Sequence, residues 1–403
     1  MRRFALLLLA AGIIAGGYGE VRSQTSPPEP LLPIIGWAAD GELWIMRPEA
    51  EPQRLAEGGL CCAVFSPDGE QIAFVIETEN NLALGWVSHG GGNMRRIPLP
   101  ADWPPGALPG PIHWQGGQAI WVNAFFPADD AQRGVMTTNF DLWRYAFEAE
   151  QWTRLARNGQ PFSAPDGERV AIVDPGEYNT RPGGISIWQA GEISEDRYTF
   201  EAVSSGSHLP WMPMLSWHDT NLQIRLAIPP RDLLYNNDPS NPALLTEVIA
   251  WQAGAPPERL ATIDIAYPAR VVWAQDGQTA AYLRQDSNTT FGLVVHPLGG
   301  EPQTIREGLA PGAQILGWDA EVLAVLLPER RLLRWHVAEG FLPPIDAVWN
   351  AVYTPYAGLA VQIVDGYQVR LSDSGETLTL PPSQDIPRLV PGIRSQSDLQ
   401  SER

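Results

Sequence analysis

Apolar residues in this chain fall into short runs that are separated by turn residues. The clearest example is CCAVFSPDGEQIAFV (61–75), where an apolar run ends at Phe65, a Ser-Pro-Asp-Gly turn follows, and a second apolar run begins. Asp-Gly tolerates the positive backbone φ that a tight hairpin needs, and Pro67 restricts the position before it. The pattern therefore predicts a β-hairpin, and a one-residue slip of its register would turn Phe65 out of the core.

This hairpin recurs along the chain. FSAPDGERVAIV (162–173) and VVWAQDGQTAAYL (271–283) keep the aromatic residue, the Asp-Gly turn and the apolar strand, and looser copies surround four further aromatic residues. Successive aromatics are 49, 48, 55, 56, 45 and 35 residues apart, a spacing that fits four-stranded propeller blades. We expect one such residue, here called a wedge aromatic, in the core of each unit: Phe65, Trp114, Phe162, Trp217, Trp273, Trp318 and Tyr353.

The two ends of the repeat region complement each other. Segment 33–56 matches the end of the last repeat when the Asp-Gly turns at Asp40 and Asp365 are superposed, so it supplies three strands of a blade. The short segment IPRLV (386–390) would add the missing inner strand, and such closure protects the edges of a propeller. The sequence thus predicts an all-β propeller of eight four-stranded antiparallel blades, with seven as the alternative, closed by pairing of its N- and C-terminal segments.

The string FSPDGEQIAFV, followed by a strand that contains Trp86, resembles the repeat of TolB-like, WD-repeat-like propellers. Related repeats occur in the propeller domains of prolyl-oligopeptidase relatives. The resemblance spans nearly the whole mature chain, is close in three repeats, and implies a fold more than a chemistry. TolB carries an α/β domain before its propeller and the peptidases need a G-x-S-x-G elbow, and neither feature is found here. The resemblance therefore implies neither a TolB role nor peptidase activity.

The first residues predict export. Arg2 and Arg3 precede an apolar run (4–17) that small residues follow, as in a secretory signal. We expect a signal peptide at 1–19, a Pro-rich spacer at 20–30, one propeller domain at 31–390 and a polar tail at 391–403. The protein would then be secreted, periplasmic or on the cell surface. The alternative is an uncleaved anchor, and only in that case do we expect membrane association.

Composition excludes several classes of function. There are 46 acidic and 27 basic residues, for a net charge of −19, so nucleic acid is a poor partner. Every basic residue is Arg, which removes Schiff-base and P-loop lysines, and common cofactor and metal motifs are missing. We therefore expect no cofactor and no metal site. The adjacent Cys61 and Cys62 are expected to lie inward on opposite sides of a buried strand, with a vicinal redox pair as the alternative.

Long connections concentrate on one face of the predicted propeller. The segments 125–140, 174–184 and 229–246 join second to third strands, and 101–111 and 205–214 join consecutive blades. Arginine with aromatic residues is the usual make-up of interface hot spots. The candidate binding rim is Trp103, Phe125, Phe126, Arg133, Tyr178, Arg181, Trp211, Arg231 and Tyr235. The alternative is that these aromatics pack over the blade tops as small satellite cores.

These observations favour a binding or scaffolding module over an enzyme. We expect it to bind an envelope or secreted protein, or a ligand, through the long-loop face. The alternative is an enzyme that processes a glycan or oligosaccharide at the mouth of the central channel, with carboxylates at Asp130, Asp174 and Asp232. A cluster of acids around that mouth would favour the second hypothesis.

Overall fold

The structure, a computed structural model, describes residues 34–390 with interruptions. The positions left out within this range are 48, 59, 78–81, 126–140, 157–158, 165, 204–212, 219–222, 232–244, 266–270, 275–276, 288, 320, 355–357, 364–365, 372–376 and 384–386. The predicted signal peptide, spacer and polar tail lie outside the described residues. Within the described ranges there is no helix long and apolar enough to cross a membrane.

The described strands form eight four-stranded antiparallel sheets, which confirms the predicted all-β propeller and its eight blades. Blades are numbered along the chain. Blade 1 contains β1 (Ile35–Ala39), β2 (Glu42–Met46), β3 (Gln53–Glu57) and β32 (Arg388–Leu389); blade 2 contains β4 (Leu60–Phe65), β5 (Gln71–Glu77), β6 (Leu82–Ser88) and β7 (Arg95–Pro98). Blade 3 contains β8 (Leu108–Gln115), β9 (Ala119–Phe125), β10 (Asp141–Ala146) and β11 (Gln151–Ala156); blade 4 contains β12 (Gln160–Ser163), β13 (Arg169–Asp174), β14 (Gly183–Gln189) and β15 (Glu192–Phe200).

The second half of the ring repeats this order. Blade 5 contains β16 (Met214–His218), β17 (Gln223–Ile228), β18 (Thr246–Trp251) and β19 (Glu258–Ile263); blade 6 contains β20 (Val272–Trp273), β21 (Thr279–Gln285), β22 (Phe291–Pro297) and β23 (Gln303–Leu309). Blade 7 contains β24 (Gln314–Asp319), β25 (Val322–Leu327), β26 (Arg331–His336) and β27 (Gly340–Ile345); blade 8 contains β28 (Val348–Thr354), β29 (Gly358–Ile363), β30 (Gln368–Leu371) and β31 (Thr377–Thr379).

The ring closes in blade 1, as the sequence predicts. Strand β32 pairs with β1 through Trp37 opposite Leu389, and the Val390 N–H donates to the Gly36 carbonyl at 2.8 Å. The buried Gln362 of blade 8 donates its side-chain N–H to the Pro387 carbonyl at 2.7 Å. The closing strand is thereby bonded to the blades on both of its sides.

The wedge aromatics lie in the cores between blades. Phe65, Trp114 and Trp217 are buried, and the other four are half-buried members of the hydrophobic clusters. Two of the indoles also reach the preceding blade: Trp114 Nε1 donates to the Val64 carbonyl at 3.3 Å, and Trp217 Nε1 to the Phe162 carbonyl at 2.9 Å. Each of these contacts joins two inner strands that are about one repeat apart in sequence.

A glycine in an inner turn allows neighbouring blades to approach. Gly277 has a φ of +60°, and a Cβ there would meet the His218 ring of blade 5 at 2.0 Å. Its carbonyl accepts a hydrogen bond from Arg225 Nε at 3.1 Å. The Asp-Gly signal in blade 6 therefore reports a turn and also a close contact between two blades.

The expectation that both cysteines point inward is wrong for Cys62. Strand β4 has a bulge between Cys61 and Val64, and Cys62 adopts a φ of +59° with an exposed side chain. An extra residue in one strand breaks the alternation of faces on which the expectation rests. The side chain of Cys61 lies outside the described residues.

Candidate functional site

Connections between second and third strands, counted outward from the channel, share one side of the ring with connections between consecutive blades. This side is called the loop face below. Several rim residues proposed from the sequence lie outside the described residues: Phe126, Arg133, Trp211 and Tyr235. Phe125 ends β9, but its side chain is likewise outside them. The structure describes four other residues of the predicted rim: Trp103, Tyr178, Arg181 and Arg231.

Tyr178 and Arg231 join two blades on the loop face. Tyr178 belongs to the connection between β13 and β14 of blade 4, and Arg231 follows β17 of blade 5. The guanidinium carbon of Arg231 lies 5.1 Å from the centre of the tyrosine ring, and its Nη2 donates to the Asn179 side-chain oxygen. The structure thus brings these two predicted rim residues together.

Arg181 is held by a carboxylate inside the same connection. Its Nη2 donates to Asp174 Oδ1 at 2.9 Å, its Nη1 donates to the other oxygen, and Arg197 Nη2 also donates to Asp174, at 3.1 Å. The hydrogen bond with Asp174 raises the pKa of Arg181 further above its usual value. Arg181 therefore stabilises the loop that presents Tyr178.

A groove opens beside Arg231, between the outer parts of blades 4 and 5. It has a volume of about 430 Å³. Its apolar lining includes Tyr198, Phe200, Ile228, Pro229 and Leu245, and its charged lining includes Arg231, Arg259, Glu201 and Glu247. Arg259 is 3.5 Å from Glu247, whereas no carboxylate among the described residues forms an ion pair with Arg231. The groove therefore has apolar walls, and the arginine at its edge forms no ion pair with a described carboxylate.

Trp103 packs as the satellite-core interpretation expects. Its ring centre lies 5.8 Å from that of Trp143 and 6.4 Å from that of Trp152, and its Nε1 donates to the Ala107 carbonyl at 3.0 Å. It also borders a wide groove of about 1200 Å³ that includes Pro104. This groove follows blade 2, so Trp103 belongs to a different seam from the Tyr178–Arg231 pair.

Sequence reasoning missed a second Arg–aromatic pair on the loop face. Arg330, in the turn between β25 and β26, lies over the ring of Trp349 in β28, with its guanidinium carbon 4.5 Å from the ring centre. Trp349 is 39% exposed. The rim was predicted from long loops, whereas Arg330 lies in a short turn and Trp349 lies in a strand.

Potential metal ligands do not converge in the described part of the chain. No group of three or more His, Cys, Asp or Glu residues there could hold a metal ion. His218 is buried against the turn at Gly277. His113 is half-buried with a fully buried Nε2, and burial lowers the pKa of this residue to about 4.

No known protein family matches this sequence, and no curated protein matches it. Solved structures resemble it at low identity. A eukaryotic initiation factor is 11% identical over 87% of this chain and 85% of its own, with a TM-score of 0.54. TolB from Acinetobacter baumannii is 13% identical over 66% of this chain and 62% of its own, with a TM-score of 0.34. The acylaminoacyl peptidase of Pyrococcus horikoshii is 12% identical over 80% of this chain and 52% of its own, with a TM-score of 0.48.

These likenesses concern the fold alone. This chain spans less than two thirds of the length of the TolB structure that it matches. The comparisons therefore concern the architecture of the chain, and its membership of a TolB-like sequence family stays a prediction.

Proposed function

We propose that this chain is a non-catalytic propeller that binds a protein partner outside the cytoplasm, through the loop face at blades 4 and 5. The observation that carries the proposal is the groove beside Arg231, with an arginine fixed over a tyrosine at its edge. The predicted signal peptide supports the location. An envelope or secreted protein is accordingly the proposed class of partner.

The pair at the edge of the groove is suited to recognition. Stacking on Tyr178 and the bond to Asn179 restrict Arg231 before a partner arrives, so less side-chain entropy is lost on binding. A planar guanidinium offers several N–H donors to a carboxylate or a carbonyl group. The adjacent apolar walls, which include the 36% exposed Leu245, would accept an apolar side chain of the partner.

A paired capture experiment tests this proposal. The purified protein and its Tyr178→Ala/Arg231→Ala variant are immobilised and exposed to the extracytoplasmic fraction of the native cells, and retained proteins are quantified by mass spectrometry. The control is Val337→Ala, a 54% exposed apolar side chain in the turn after β26, on the opposite side of the ring. We expect one partner to be retained by the wild type and the control and to fall at least about tenfold with the double variant.

Retention of that partner by the double variant, with its thermal unfolding unchanged, would contradict the assignment of the groove.

The competing proposal is a glycan-processing enzyme at the channel mouth. Its one described carboxylate, Asp174, already accepts hydrogen bonds on both oxygens from Arg181 and Arg197. Asp130 and Asp232 lie outside the described residues. Turnover on an oligosaccharide panel that is lost on Asp174→Asn would favour the enzyme.

A further inference from the structure

Trp349 is exposed because of an irregularity in the innermost strand of blade 8. The register of β28 against β29 shifts between Val348 and Asn350, so Trp349 is the extra residue of a bulge. Val348 is 1% exposed within the core of blades 7 and 8, whereas Trp349 is 39% exposed. Bulges re-aim side chains, and this one turns a large aromatic group away from a core in which its burial would be favourable.

Arg330 is held against this tryptophan by the backbone. Arg330 has a φ of +60°, and its carbonyl accepts a hydrogen bond from the Val348 N–H at 2.8 Å, which fixes blade 7 to blade 8 beside the pair. The next residue, Arg331, pairs with Asp346 at 2.6 Å. Arg330 is exposed and stacked on the indole, and among the described residues no carboxylate forms an ion pair with it.

A second arginine stands on the neighbouring inner strand. Arg388 of β32 is exposed, and no described carboxylate pairs with it. Its neighbour Pro387 is bonded to Gln362, which lies opposite Asn350 in the sheet of blade 8. Arg388 therefore belongs to the strand that adjoins β28 around the ring, at the level of the bulge that exposes Trp349.

We propose that Arg330, Trp349 and Arg388 form a second binding site, at the loop-face mouth of the central channel, for a carboxylate of an extended peptide. A stacked guanidinium keeps its N–H edge free for a bidentate carboxylate and loses little freedom on binding. Arg388 adds positive potential in a protein whose net charge is −19. One face of the indole is already occupied by Arg330, which favours a carboxylate over stacking of a sugar ring. The site lies at the seam of blades 7 and 8 and is independent of the groove at blades 4 and 5.

Fluorescence anisotropy at about 0.15 M salt tests the site while screening long-range repulsion. The probe is a labelled hexapeptide of alternating leucine and glutamate, compared with its leucine–glutamine counterpart. We expect the acidic peptide to bind the full chain in preference to the neutral one, and Arg330→Gln to weaken it at least tenfold. Arg388→Gln should weaken it by a smaller factor. The matched control is Arg331→Gln, the same charge change one residue away, which should alter the affinity less than twofold.

Several results would overturn the site. They are equal binding of the acidic and neutral peptides, equal losses for Arg330→Gln and Arg331→Gln, or displacement of the peptide by an equimolar amount of inorganic phosphate. Binding of an oligogalacturonate but not of the acidic peptide would show that the ligand class is wrong. Tyr178→Ala/Arg231→Ala should leave this affinity unchanged, so failure of the groove and failure of this site are distinguishable.

Discussion

The repeat provides a matched pair of substitutions that tests how the blades are held together. Trp217 and Trp273 are the wedge aromatics of blades 5 and 6, and each ends or nearly ends an inner strand. Trp217 Nε1 donates to the Phe162 carbonyl of blade 4 at 2.9 Å. The buried Nε1 of Trp273 has no hydrogen-bond acceptor among the described residues. Replacement by Phe removes the same atoms at both sites but removes a hydrogen bond at only one.

The expected difference follows from the two N–H groups. A buried hydrogen bond contributes about 1 kcal/mol net, so Trp217→Phe loses about this amount in addition to packing. Removal of an unpaired buried donor instead relieves a desolvation cost of about 1–3 kcal/mol. The packing loss is of similar chemistry at both sites, although Trp217 is the more buried of the two. We therefore expect Trp217→Phe to destabilise the protein by about 2–4 kcal/mol more than Trp273→Phe.

Equilibrium unfolding in urea, followed by far-UV circular dichroism and by tryptophan fluorescence, measures this difference. Both variants should keep the wild-type slope against denaturant, and the midpoint should fall further for Trp217→Phe. A Trp217→Ala variant calibrates the full loss of packing. If Trp273→Phe is destabilised as much as Trp217→Phe, the cross-blade hydrogen bond contributes nothing measurable, and packing alone explains the wedge aromatics.

One further prediction concerns the contact between blades 5 and 6, and another concerns the burial of His113. Gly277→Ala should lower the free energy of unfolding by about 2–4 kcal/mol, because it combines a positive φ with a clash against His218. The control is Gly340→Ala, where φ is +79° and no atom lies within 4 Å of the added Cβ. This control should lower the free energy of unfolding by about 1 kcal/mol. Equal losses in chemical denaturation would remove the close contact from the explanation. Burial lowers the pKa of His113 to about 4, below its value of about 6.5 in unfolded chains. The unfolded state therefore binds this proton first, and stability is lost as the pH falls from about 6.5 to about 4. Between pH 7 and 4.5 the wild type should lose about 2 kcal/mol more than His113→Leu, and parallel pH profiles would refute the assignment.

The fold was predictable because its signals are local and repeated. Hairpins such as the one at Asp68 and Gly69 need only a turn dipeptide and alternating strands to be recognised. Repetition then supplied the long-range order that one hairpin lacks, and the unmatched segments at the two ends predicted the pairing of β1 with β32. Bulges break the alternation of faces without a turn signal, so the exposure of Cys62 could not be read from its neighbours.

The site was less predictable than the fold, because the length of a loop does not indicate which of its side chains face solvent and which pack on the blades. Tyr178 and Arg231 lie in long connections that contain aromatic residues and arginine, which is the pattern that predicts the binding rim. Trp103 also lies in a long connection with an aromatic residue, although one without arginine, yet its ring packs on Trp143 and Trp152. A contact between blades depends on residues about one repeat apart, and a single sequence gives no measure of such a pairing.

Arginine stacking on aromatic rings recurs at the blade seams, and exposure separates its structural use from its proposed binding use. Arg144 of blade 3 lies 4.6 Å from the Trp188 ring of blade 4 and donates to the buried Gln115 at 3.0 Å, and burial lowers its pKa. The Nε–H of this guanidinium is therefore already bonded inside the protein. The guanidinium of Arg330 is stacked at nearly the same distance, but its N–H edge faces no described carboxylate. Lysine has no planar group to stack in this way. A chain whose basic residues are all arginine can use one contact both to join blades and, where the edge stays open, to receive a ligand.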